Sequence, residues 1–293
     1  MKKLLAILIC IATLFSLTSC LASLENAMNE KEQERLMMLE SFPKKDGVIL
    51  LTTFELFIND THYKLDEIKH DGKICNAVLL EADGFYAYTF DKVTREVEFL
   101  FVKYEGFTAN SLGTEILPSN IINAFFGDGC FWFRMDDPDM EKFGQMYFSW
   151  NIDTKESSRV NSEAIDKDYE YSKNNNRAGR YSYSYNSKII GSFLEVTDNV
   201  TNVTKKATYK TLRSFDEGNK IADSADVSFN VSHVFEKDGK IFIASGNSID
   251  FVGLSPYYYV YTWDFETEEC DFYTYILFDG EQGSVIDMYI IGE

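Results

Sequence analysis

Three histidines, His62, His70 and His233, are the only imidazoles in 293 residues, and none sits in a pattern that metal or acid–base chemistry requires. A zinc hydrolase places two histidines one helical turn apart with a glutamate between them, and a serine hydrolase flanks its nucleophile with glycines. Neither H-E-x-x-H nor G-x-S-x-G occurs, and neither does a phosphate-cradling glycine loop. His70 and His233 lie shortly before Asp-Gly pairs, which makes them strand-end residues. Carboxylates are plentiful, and two facing ones suffice for glycoside hydrolysis, yet no motif pairs them along the chain. The densest string, Asp136-Asp137-Pro138-Asp139 with Glu141 after it, offers oxygen ligands for calcium. It lacks the spacing and central glycine of an EF-hand loop and so reads as solvated loop. Cys75, Cys130 and Cys270 form no C-x-x-C pair, which makes buried apolar thiols of them. No cofactor or metal is implied, and a binding module is favoured over an enzyme.

Aromatic strings are the remaining chemical signal: Tyr257, Tyr258, Tyr259 and Tyr261, then Phe131-Trp132-Phe133, then Tyr181, Tyr183 and Tyr185. Side chains alternate between the two faces of a strand, so such strings either pack between sheets or leave rings to stack on a ligand. Packing accounts for them without a ligand.

The elements that carry these residues repeat. Asp71-Gly72-Lys73-Ile74 recurs as Asp128-Gly129-Cys130-Phe131, as the degenerate Asn186-Ser187-Lys188-Ile189, and as Asp238-Gly239-Lys240-Ile241, at intervals of 57, 58 and 52 residues. Asp-Gly tolerates the left-handed backbone of a tight hairpin, and strand-like sequence flanks each copy. A second landmark follows each: Asp91 to Thr94, Asn151 to Thr154, Asp198 to Thr201 and Asp264 to Thr267. There an Asp or Asn side chain accepts the amide proton of a residue two or three positions on and closes a turn. Four strands per unit of about 55 residues is propeller-blade spacing. The expectation is an all-β fold, a β-propeller-like repeat array of four to five blades, with five blades and a reduced first one preferred. An irregular β-sandwich is the alternative. The strand-like C-terminal run Val285 to Ile291 is placed to pair into the first unit and close the ring. The unit from Asp238 onward resembles a kelch-type blade, with its Asp-Gly-Lys start and aromatic strand leading into Asp-x-x-Thr, although the paired glycines of that family are reduced to Ser245-Gly246.

The formal charge of −19 excludes nucleic acid as a partner, because no basic stripe offsets it locally. At the other end of the chain, Lys2 and Lys3 precede an apolar run from Leu4 to Leu17, which has secretory-signal architecture and is short for a spanning helix of ~20 residues. The string Leu17-Thr18-Ser19-Cys20 resembles the bacterial lipobox. That resemblance implies cleavage before Cys20 and fatty acyl chains on its thiol. Leu21, where that family's inner-membrane proteins carry Asp, implies the outer membrane or cell surface.

The domain expectation is a signal peptide over 1–19, a lipid anchor and helical tether over 20–45, and the β-propeller-like domain over 46–293. The functional expectation is a lipid-anchored extracytoplasmic protein of the cell envelope, held to the membrane through its N-terminal lipid. It binds a protein or glycan through blade-connecting loops. The alternatives are a carboxylate-dependent glycan hydrolase and a structural envelope lipoprotein.

Overall fold

The computed structural model describes residues 44–59, 61–135, 146–161, 177, 179–186, 193–207, 231–245, 249–250, 253–254, 257–277 and 283–291. The signal, Cys20 and the tether up to residue 43 lie outside the described residues, as do the Asp136 string, Ser187 to Ile189 and Gly246.

β-branched and aromatic residues in short runs, split by Asp, Asn and Gly, form strands that meander antiparallel into five blades. β1 (Val48–Thr52), β2 (Glu55–Ile58) and β3 (Thr61–Lys64) belong to the first, and β4 (Lys69–His70) and β5 (Lys73–Ile74) form a separate short hairpin. The second blade is β6 (Asn76–Leu80), β7 (Gly84–Phe90), β8 (Glu96–Lys103) and β9 (Ala109–Ile116). The third is β10 (Ile121–Gly127), β11 (Cys130–Met135), β12 (Met146–Asn151) and β13 (Ser157–Asn161). The fourth has β14 (Tyr181–Asn186), β15 (Phe193–Asp198) and β16 (Val203–Ala207). The fifth has β17 (Val231–Lys237), β18 (Lys240–Ser245), β21 (Tyr257–Trp263) and β22 (Cys270–Leu277). A two-stranded hairpin, β19 (Ile249–Asp250) with β20 (Gly253–Leu254), belongs to a second unit made of residues 1–44 and 249–254.

The C-terminal strand β23 (Val285–Ile290) completes the first blade. It pairs antiparallel with β1, Val48 opposite Ile290 and Leu50 opposite Met288, so the sheet order is β23-β1-β2-β3. Ring closure through the last strand is therefore as the sequence predicts. The first blade is reduced only in the length of its strands. β23 lies against β17 on one side and β6 on the other, and β6 lies against β10.

Both turn types adopt the backbone their sequences require. Asp71, Asp128 and Asp238 have φ of 48°, 52° and 50°, and the following glycines have φ of 77°, 71° and 77°. Two successive residues with positive φ make the tight hairpin in which glycine is favoured at the second position. In the Asp-x-x-Thr turns, Asp91, Asn151 and Asp264 each accept from the amides two and three positions on, at 2.8–3.2 Å. Asp198 accepts from Val200 at 2.9 Å. The residue after each Thr, namely Arg95, Lys155, Asn202 and Glu268, is left-handed, and its amide returns to the carbonyl of the Asp or Asn. Replacing Asn151 with Ala removes two such bonds and is expected to lower stability by about 1–2 kcal/mol, read as a shift of the urea midpoint.

The landmarks do not always join the same strands. Asp71-Gly72 closes the β4–β5 hairpin rather than a blade, and β6 passes to β7 through residues 81–83. The second landmark joins the second and third strands of the second blade, but the third and fourth strands of the third and fifth. In the fourth blade, Tyr181 at the start of β14 packs on Phe265 of the fifth blade's Asp-x-x-Thr turn, 5.0 Å between ring centroids. β14 therefore starts where second strands start. It takes the second position of its blade rather than the first, and no described strand takes the first. Hairpin turns look alike locally, so turn sequence alone does not reveal which strand pair a turn serves.

The core lies between neighbouring blades. Tyr86 stacks on Phe126 at 4.5 Å and Phe99 on Trp150 at 4.0 Å, joining the second and third blades. Leu50, Phe57, Met288 and Ile290 pack with Tyr258 and Val260 between the first and fifth. Most of the aromatic strings pack, as expected: Phe131 and Phe133 are fully buried and Tyr181, Tyr183, Tyr258, Tyr259 and Tyr261 are buried, while the side chains of Tyr185 and Tyr257 lie outside the described residues. Trp132 is half-buried, parallel to Phe125.

Candidate functional site

Two places among the inner strands gather polar groups. The first is Asp287, fully buried in the apolar strand VIDMYI. Arg177 donates to both of its carboxylate oxygens at 2.6 Å, and the Leu80 amide donates to Oδ2 at 2.7 Å. His233 Nε2 stands 2.9 Å from Oδ1. Arg177 also donates to the Leu80 carbonyl, and its guanidinium lies over the rings of Phe235 and Tyr289. Burial by itself would raise the Asp287 carboxyl, but Arg177 and His233 overturn that and hold it well below the usual carboxylate range. Burial likewise works against the charge on Arg177, and Asp287 more than offsets it. Nearby, burial raises Glu81, opposed by Arg177. The node ties the C-terminal strand to β6, to β17 and to the residues preceding β14.

The second place is a cavity of about 560 Å³ where the inner strands begin. Its walls come from the starts of β6, β10 and β23, from the β1–β2 turn, and from residues 64–66 and 74–75. The tight Asp-Gly turns lie at the opposite ends of β10 and β17. Three large apolar side chains of the lining are exposed: Phe54 at 49%, Ile74 at 44% and Ile122 at 53%. Glu55, Asp66 and Lys64 supply its charges. Glu55 is itself buried, with His62 Nδ1 at 3.2 Å.

Of the residues singled out in the sequence, His62 meets Glu55, and His70 Nε2 stands 3.6 Å from Glu98 and 3.9 Å from Asp71. His233 departs from its strand-end reading, because it lies inside β17, buried against Asp287. Among the described residues no group of three or more His, Cys, Asp and Glu is placed to hold a metal ion. Burial pushes the thiol of Cys75 up to about 11 and that of Cys270 up to about 12. Cys130 is half-buried rather than buried, in contact with Asn151 Nδ2 at 3.4 Å. Asp287 and Arg177 carry no sequence motif. A lone Asp inside an apolar strand was the available signal for the first, and nothing marked the second.

No protein-family model and no curated protein matches the chain. Solved structures that it resembles include TolB from Acinetobacter baumannii, at 10% identity over 78% of this chain and 52% of that one, with a TM-score of 0.33. The chain thus spans about half of that protein's length. A functionally unknown protein from Desulfotomaculum acetoxidans matches at 6% identity, covering 80% of each chain, with a TM-score of 0.38. A putative TolB from Agrobacterium tumefaciens matches at 11% identity, covering 82% of this chain and 79% of that one, with a TM-score of 0.38.

Proposed function

We propose that this protein is a lipid-anchored, extracytoplasmic β-propeller of the bacterial envelope that binds a protein or glycan where its inner strands begin. The observation that carries the reading is the cavity of about 560 Å³ rimmed by Phe54, Ile74 and Ile122, each from a different turn or strand. Soluble proteins rarely gather exposed apolar side chains around a concavity unless something covers them. The anchor rests on Leu17-Thr18-Ser19-Cys20, with Cys20 as the lipid attachment site, and on Leu21 for the outer membrane or cell surface. One acyl chain holds a protein only marginally, whereas two give stable attachment.

Cys20→Ala is expected to leave the precursor unprocessed or release the protein to the soluble fraction, with no radiolabelled fatty acid incorporated. Label entering that variant overturns the anchor. The binding reading is tested by hydrogen exchange at residues 76–78 and 122–124, whose slowing by a bound peptide or glycan is the expected result. Glu55 and Asp66 both line the cavity, which keeps a carboxylate-dependent hydrolase as a second reading. Turnover of a glycan by the wild type, abolished by Glu55→Gln, would establish it.

A further inference from the structure

We infer that the cavity takes an extended peptide whose side chains alternate between apolar and basic residues, laid along the inner edges of β6 and β10. This rests on the binding reading above and names the class of ligand.

The backbone speaks first. β6 and β10 each end their sheet, so among the described residues each has a strand partner on its outer side only. An inner edge of this kind presents amides and carbonyls, apart from the Ala124 amide held by Asn123 Oδ1 and the Leu80 amide and carbonyl held by Asp287 and Arg177, and an extended peptide satisfies the rest as an added strand. Both strands bulge at the cavity wall. On β6, Ala77 faces Ala87 and Leu79 faces Tyr86, which leaves Val78 as the extra residue. On β10, Ile121 faces Met135 and Asn123 faces Arg134, which leaves Ile122 as the extra one. Bulges re-aim side chains and cluster beside functional sites. Here the bulge leaves Ile122 53% exposed at the cavity.

The side chains then choose among ligands. The rim is two isoleucines and a phenylalanine, surfaces that suit branched or aromatic side chains better than the hydroxylated faces of a sugar. A strand's alternate residues all point one way, so apolar residues at every second position reach this rim together. For the remaining positions the lining offers the exposed carboxylate of Asp66 and one cation, Lys64, while Glu55 is buried against His62. With the chain as a whole at −19, lysine or arginine is favoured there and steers the encounter.

The test uses the full chain in mild detergent, with fluorescein-labelled peptides followed by anisotropy near physiological salt. A peptide of alternating Lys and Val is expected to bind, and one of alternating Lys and Ser to bind at least about tenfold more weakly. Ile122→Asp is expected to weaken the Lys-Val peptide by at least about tenfold, although it adds a negative charge that would strengthen purely electrostatic attraction. Phe54→Asp, in a turn, gives the same loss with an unchanged urea midpoint and so guards against misfolding as the cause. Equal binding of the Lys-Ser peptide, or wild-type binding by both variants, overturns the inference. In parallel, exchange at residues 76–78 and 122–124 is followed with the Lys-Val peptide and with chitotriose. Slowing by chitotriose alone overturns the peptide while leaving the cavity as a binding site. Slowing by neither removes both.

Discussion

Replacing Asp287 with Ala is expected to destabilise the propeller by about 3–5 kcal/mol, because it strands a guanidinium among apolar rings. The Arg177 side chain is 22% exposed, Asp287 is wholly buried, and the two share a bidentate contact at 2.6 Å. Asp287→Asn retains the shape but not the charge, and its cost is expected to fall close to that of Ala. The double variant Arg177→Met/Asp287→Leu recovers much of the loss, since a buried pair replaced by apolar residues of similar volume is often neutral. Urea unfolding of the four proteins decides the matter. A single-variant cost below ~1 kcal/mol would mean the pair contributes no more than an exposed one.

The same pair sets a pH dependence. The Asp287 carboxyl is held below its usual range in the folded protein. Asp198, bonded first of all by Arg180 Nη2 at 2.7 Å, is held down to about 2. A carboxyl that titrates lower folded than unfolded adds stability in full above its unfolded pKa of about 4 and loses it as the pH falls. Wild-type stability should therefore decline from about pH 5 toward pH 2, with a shallower decline in Asp287→Asn.

Trp150→Ala is the second large effect expected, about 3–5 kcal/mol. Trp150 is 2% exposed and lies 4.0 Å from Phe99, nearly parallel to it. Its ring reaches so close to Gly113 that a Cβ there would stand 2.7 Å away. Truncation opens a void between the second and third blades that rigid sheets on both sides cannot collapse. The measurement is again the urea midpoint at constant slope. A cost near 1 kcal/mol would show that the two blades close over the gap.

The sequence by itself determined what is local. Asp-Gly at 71, 128 and 238 dictates a left-handed pair because glycine pays little for positive φ there, and the structure has that pair at each. Asp91, Asn151, Asp198 and Asp264 cap their turns through their own side chains, so spacing alone identified them. Strand character and a repeat of four to five units follow from the same short-range rules, whereas the count of five and the pairing of Val285 to Ile290 with β1 came with the structure.

What only the tertiary structure decided depends on residues far apart in the chain. Asp287 meets Leu80, Arg177 and His233 because closure of the ring brings inner strands of separate blades together, and no spacing along the chain encodes that meeting. The cavity is equally non-local. Phe54, Ile74 and Ile122 are ordinary apolar residues of three short segments, and they form a rim only because the first three blades converge and a bulge turns Ile122 outward. The Asp71-Gly72 turn marks the same limit, since its backbone was legible while its place outside the blades was set by which strands β6 and β7 could pair with.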